Sequence, residues 1–214
     1  MEQGAAYLQT RYALPMTAQE VGAGIEEMLQ DYYYNEVPAK DGAPELLAFL
    51  AERGIGMAAA TSSPRGHVTR ALARLGLLEY FTEIFTTGEI GVSKHKPDIY
   101  RMAAERLGTA PCETVVFEDS LYALQTAKAA GFITIGVYDA NGEADQPGLK
   151  KAADLYVKCL GEVPITEMSI SAARQGRACP DPCKPTCPPS RYIGGTTLCR
   201  VIKPCCTDRK EVLR

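Results

Sequence analysis

The chain has 214 residues, 46% of them hydrophobic, with 23 Lys/Arg against 26 Asp/Glu for a net charge of −3. That suffices for one sizeable α/β domain with an appendage, and no stretch approaches the roughly 18 apolar residues of a membrane helix. The opening residues lack the basic-then-apolar order of a signal peptide, so a cytoplasmic monomer with no nucleic-acid or membrane partner is expected.

In residues 1–36, Tyr7 and Leu8, then Val21, Ile25, Met28 and Leu29, predict two helices and no strand. From residue 43 the text alternates. Ala43-Pro44-Glu45 opens a helix with Leu46, Leu47 and Leu50 as its apolar face and Gly54 as its stop. Residues 55–60 read as a buried strand of small side chains. Ser63-Pro64 caps the next helix, which carries Val68, Leu72 and Leu75 on one face and ends at Gly76. A short strand at 84–87 precedes a helix starting at Pro97-Asp98, with Ile99, Met102, Ala103 and Leu107 inward. Thr114–Phe117 is β-branched and aromatic, hence a buried strand, followed by a helix from Ser120 to Gly131. Further strands fall at 133–138 and near 155–157. Strands alternating with helices predict a doubly wound parallel sheet. Residues 1–36 are thus a helical appendage, 37–163 an α/β core and 164–214 a tail.

The tail differs in composition. It carries nine Lys/Arg against four Asp/Glu, seven of the 14 prolines and six of the eight cysteines. Cys179, Cys183, Cys187, Cys199, Cys205 and Cys206 include no C-x₂-C pair, which argues against zinc, and the Pro content predicts disorder. Cys112 and Cys159 are expected to be small packing residues, and His67 and His95 surface residues.

Three strand ends carry polar groups. Thr61-Ser62-Ser63-Pro64-Arg65 offers hydroxyls and amides at a helix start, suited to phosphate; Ser63 could equally be a plain N-cap. Ser93-Lys94-His95-Lys96-Pro97-Asp98 is a basic cluster, or else a solvated loop. Glu118-Asp119 offers oxygens to a hard cation such as Mg²⁺, or simply complements a helix dipole. At one edge of one sheet, the three would supply what phosphoryl transfer needs.

"GIGMAAATSSPRGHVTRAL", "SKHKPDIYRMAAERLG" and "TVVFEDSLYALQTAKAAGFITIGVYD", in that order, resemble the haloacid dehalogenase-like hydrolases, specifically the β-phosphoglucomutase-like phosphatase group. The resemblance covers residues 1 to about 163. It implies that Thr61 holds the transferring phosphoryl group, with Ser62, Ser63 and Arg65 near phosphate or substrate. Lys94, four before Asp98 in the family's K-x-x-P-D pattern, would stabilise its charge, with Lys96 the second candidate. Asp119 would ligate Mg²⁺, backed by Glu118 and Ser120. Residues 1–36 would be the last helices of the family's cap, and the substrate a small phosphorylated metabolite.

The family's reaction starts at a D-x-D-G-T motif, whose first Asp forms an aspartyl-phosphate and whose second is the general acid/base. Residues 1–214 contain no D-x-D. The family carries that motif on a central strand, between those ending at Thr61 and Glu118. Without it these two strands should either pair with each other or stand as open edges. The expectation is a truncated, marginally stable chain that is inactive alone; a gene-calling or frameshift artefact would account for both ends. The alternative is a non-enzymatic pseudoenzyme or fragment that binds a phosphorylated ligand or partner through Thr61 and Lys94.

Overall fold

The computed structural model describes residues 2–164 and 198–199, and the chain divides into two compact units. One comprises residues up to Ala39 together with Ser63–Glu79; the other comprises Lys40–Ser62 and the described residues from Tyr80 onward.

The first unit is helical. α1 (Glu2–Arg11) and α2 (Ala18–Asp31) occupy the region read as strandless, and a π-helical turn follows at Tyr32–Glu36. Thr17 and Glu20 form a reciprocal capping box at the start of α2, satisfying two otherwise orphaned amides. The third helix, α4 (Arg65–Arg74), is grouped here and not with the sheets. Its N-cap is Pro64, and Ser63 is not the cap: its hydroxyl lies 2.7 Å from that of Tyr33. His67 also departs from expectation. It is buried, stacked on Tyr33, edge-on to Tyr34, with Nε2 3.2 Å from Glu26.

The second unit holds the strands. β1 (Ala58–Thr61) pairs in parallel with β2 (Glu83–Thr86), Thr61 opposite Thr86. β3 (Val115–Glu118), β4 (Ile133–Val137) and β5 (Leu155–Val157) form a second parallel sheet in the order β3-β4-β5. The architecture is therefore α/β with parallel sheets, as the alternation predicts, but the strands stand as two sheets of three. β1 and β3 do not pair with each other. The two-residue strand β6 (Leu198–Cys199) runs antiparallel along the other edge of β1, with Ala58 opposite Cys199. Apart from these two residues and Pro164, the tail and its cysteines lie outside the described residues.

The helices of this unit are α3 (Ala43–Glu52), which precedes β1, then α6 (Asp98–Leu107), α7 (Leu121–Ala129) and α8 (Gln146–Ala152), with a single turn, α5, at Thr87–Ile90. The two sheets share one core: Ala58 and Ala60 of β1 and Val116 of β3 pack with Ile99, Tyr100, Ala103 and Ala104 of α6. Small side chains on β1 let α6 approach closely, and the large Tyr100 fills the space they leave. Met102, expected inward, is 40% exposed; α6 turns Tyr100 and Ala104 inward instead. Among the described residues, no helix is long and apolar enough to cross a membrane.

One polar contact ties β4 to the approach of β5. Asp154 accepts from the Thr134 amide at 3.1 Å and its hydroxyl at 2.9 Å, with Lys128 3.3 Å away. Burial pushes this carboxyl up, but the Thr134 hydrogen bonds and the Lys128 charge outweigh it, so it sits below the usual aspartate range. Its contribution to stability is then fully present above the unfolded-state value of about 3.9 and is lost as pH falls through the lower folded value. Asp154→Ala strands the Thr134 amide and should cost about 1–3 kcal/mol near neutral pH. In urea denaturation the gap from wild type should narrow in acid; a gap constant with pH would refute the assignment.

Candidate active site at the strand ends

β3 is buried along its whole length, so its side chains alternate between two covered faces and its last residue emerges at the carboxyl end already desolvated. That residue is Glu118, whose side chain is 3% exposed. A carboxylate so placed needs partners. Lys94 Nζ donates to Oε1 at 2.5 Å and Tyr100 Oη donates to the same oxygen at 3.0 Å, while the Ser120 amide reaches Oε2 at 3.4 Å. Lys94 is itself 11% exposed. In the 93–98 loop it is therefore Lys94 that turns inward, whereas Lys96 and His95 are exposed and His95 stacks on Tyr122 with ring centroids 4.3 Å apart.

Asp119, one residue on, points elsewhere. It is 41% exposed, and Lys40 Nζ stands 3.1 Å from its Oδ2. The same ammonium lies 2.5 Å from Asp139 Oδ2, two residues beyond β4. Asp139 is fixed by its own N-cap bond, Oδ1 accepting from the Asn141 amide at 2.9 Å. The Lys40 bond holds the Asp139 carboxyl below the usual range. Burial pulls the Lys40 ammonium down, but the two aspartates outweigh it and leave its pKa above the ordinary lysine value. Two lysines thus face three carboxylates, leaving one net negative charge.

Thr61 is the last residue of β1 and half-buried, and Ser62 after it is exposed. Ser63 and Arg65, the latter exposed at the start of α4, belong to the helical unit, whereas Thr61, Ser62, Lys94, Glu118 and Asp119 belong to the sheet unit. The structure joins Lys94 to Glu118. Asp119 instead meets Lys40. Sequence reasoning missed Tyr100, Lys40 and Asp139. The pattern of α6 could have revealed Tyr100, since it neighbours the inward Ile99 and lies four before Ala104. Nothing local marks Lys40, whose two partners lie 79 and 99 residues away.

Mg²⁺ accepts oxygen ligands at about 2.0–2.1 Å in strict octahedral geometry. As placed, Glu118 is held by Lys94 and Tyr100, and Asp119 by Lys40. Among the described residues, no group of three or more His, Cys, Asp or Glu could hold a metal ion. The donor chemistry suits the ion, but the arrangement does not fit it.

Comparison with known proteins gives a consistent result. The haloacid dehalogenase-like hydrolase family matches residues 10–131. The validoxylamine A 7'-phosphate phosphatase of Streptomyces hygroscopicus is 32% identical over 126 residues, 58% of this chain and 56% of that protein. A phosphorylated carbohydrates phosphatase of Thermotoga maritima is 38% identical over 90 residues, 42% of each. The chain spans about half the length of the curated relatives it matches. Among solved structures, a Thermotoga maritima protein provisionally described as a β-phosphoglucomutase superposes with a TM-score of 0.62 at 28% identity, covering 73% of this chain and 72% of that one. A variant of CbbY from Rhodobacter sphaeroides, in complex with xylulose 1,5-bisphosphate, superposes with a TM-score of 0.60 at 27% identity over 71% and 68%.

Proposed function

The chain belongs to the haloacid dehalogenase-like hydrolases, and from that premise we propose that its role is phosphoryl chemistry on a small phosphorylated metabolite, a sugar phosphate being the default. The observation that carries this reading is the buried Lys94–Glu118 pair at the carboxyl end of β3, where open α/β sheets bind ligands. A lysine held rigidly by a desolvated carboxylate is a preorganised cation for a phosphoryl group. Thr61 would hold a phosphoryl oxygen through its hydroxyl, with Ser62 as a further donor. Mg²⁺ is the cofactor the family resemblance implies, with Asp119 and Glu118 as its ligands. The carboxylates are not arranged for it here.

The family's route through an aspartyl-phosphate needs a nucleophile that residues 1–214 do not contain as a D-x-D pair. Residues 1–214 alone are therefore proposed to bind phosphate without turning phosphomonoesters over, phosphoryl chemistry being the family role. That leaves the non-enzymatic binding role as the second reading, and the same lack of a D-x-D favours it. Purified chain should show no Mg²⁺-dependent hydrolysis of p-nitrophenyl phosphate, while inorganic phosphate should raise its melting temperature. Thr61→Val should remove most of that rise. Measurable hydrolysis would overturn the inactive reading, and no thermal response to phosphate would overturn the binding one. An in-frame D-x-D-G-T encoded immediately upstream would favour the enzyme over the pseudoenzyme.

A further inference from the structure

We propose that Lys40 is a built-in counter-cation: its ammonium occupies the space between Asp119 and Asp139 and excludes divalent metal from Asp119. Its Nζ lies 3.1 Å from one carboxylate and 2.5 Å from the other, two acids brought together from the ends of β3 and β4. A divalent ion on Asp119 Oδ2 would sit within a few ångströms of that ammonium. The two cations cannot share the oxygen, so metal must first displace the lysine.

Displacement is opposed by the way Lys40 is mounted. Its carbonyl accepts from the Ala43 amide at 2.9 Å, closing the turn that begins α3. The next carbonyl, of Asp41, accepts from the Leu160 amide at 2.9 Å. Gly42 then adopts φ +81° against the backbone of Gly161, with no room even for a Cβ. The stem of Lys40 therefore leaves a fixed backbone and aims at a fixed pair of acids, one of them pinned by the Asn141 amide. The remaining carboxylate of the adjacent pair, Glu118, has its own lysine. Each of the three acids at these strand ends thus has a lysine beside it, with one net negative charge left over. The inference concerns metal occupancy and stands whether or not the chain turns substrate over.

The test is Mn²⁺ binding to the full chain, followed by electron paramagnetic resonance of the free ion. Wild type should bind weakly. Lys40→Met should bind at least about tenfold more tightly, equivalent to about 1.4 kcal/mol. The gain should vanish in the Lys40→Met/Asp119→Asn double variant, and Lys40→Arg, which keeps the charge, should behave as wild type. Should Lys40→Met fail to fold by circular dichroism, Lys40→Gln, which can still donate to Asp139, takes its place. Equal affinity in wild type and the neutral variants would overturn the proposal, as would a gain that survives Asp119→Asn. Wild type can also be tested alone: an Mg²⁺-dependent rise in its melting temperature that Asp119→Asn abolishes would equally overturn it.

Discussion

Lys94→Met is expected to destabilise the protein by about 3–5 kcal/mol, because it leaves a buried carboxylate without its cation. Glu118 is 3% exposed and shares its Oε1 between Lys94 and Tyr100. Removing the ammonium leaves a desolvated negative charge without its lysine. Neutralising both partners should recover much of the cost: Glu118→Gln in the Lys94→Met background keeps an acceptor for Tyr100 and removes the stranded charge. Urea denaturation of wild type, both single variants and the double variant closes a double-mutant cycle. A coupling near zero would show that the pair contributes no more than an exposed one and would remove the preorganised cation from the functional reading.

That pair also shows what was legible beforehand. Elements with their own local signal came through: β3 as a run of β-branched and aromatic residues, and α7 between Ser120 and Gly131. The small residues of 55–60 marked a strand, which the structure confines to Ala58–Thr61. The inward turn of Lys94 agrees with the K-x-x-P-D spacing, but the grip of Tyr100 on Glu118 depends on how α6 rolls against β1 and β3. Helical periodicity favoured Met102, yet the small side chains of β1 admit Tyr100 at the close approach instead. His67 fails similarly. A polar residue in a helix reads as solvent-facing unless it is known that two tyrosines and a glutamate await it. Lys40 is the extreme case, because its meaning is created by two acids on separate strands. Periodicity reports on faces; it cannot report on which charges topology brings to one edge.

The turn that presents Lys40 supplies the second large expected effect. Gly42→Ala should cost about 3–5 kcal/mol, from two separate sources. At φ +81° an L-residue pays about 1–2 kcal/mol for the left-handed conformation. The larger part is steric: an added Cβ would lie 2.2 Å from the Gly161 nitrogen, 2.7 Å from its Cα and 2.9 Å from the Leu160 carbonyl carbon. These are backbone atoms and cannot rotate away, so the segment that carries the Leu160–Asp41 hydrogen bond must move as a whole. Gly54→Ala separates the two sources, since Gly54 has φ +65° but nothing within 4 Å of the new Cβ. It should cost only the conformational part, about 1–2 kcal/mol. Similar midpoints for the two variants in urea would mean that the 42–161 contact yields without penalty. If Gly42→Ala instead loses far more, and also binds Mn²⁺ more tightly than wild type while still folded, the mounting of Lys40 and the exclusion of metal are one device.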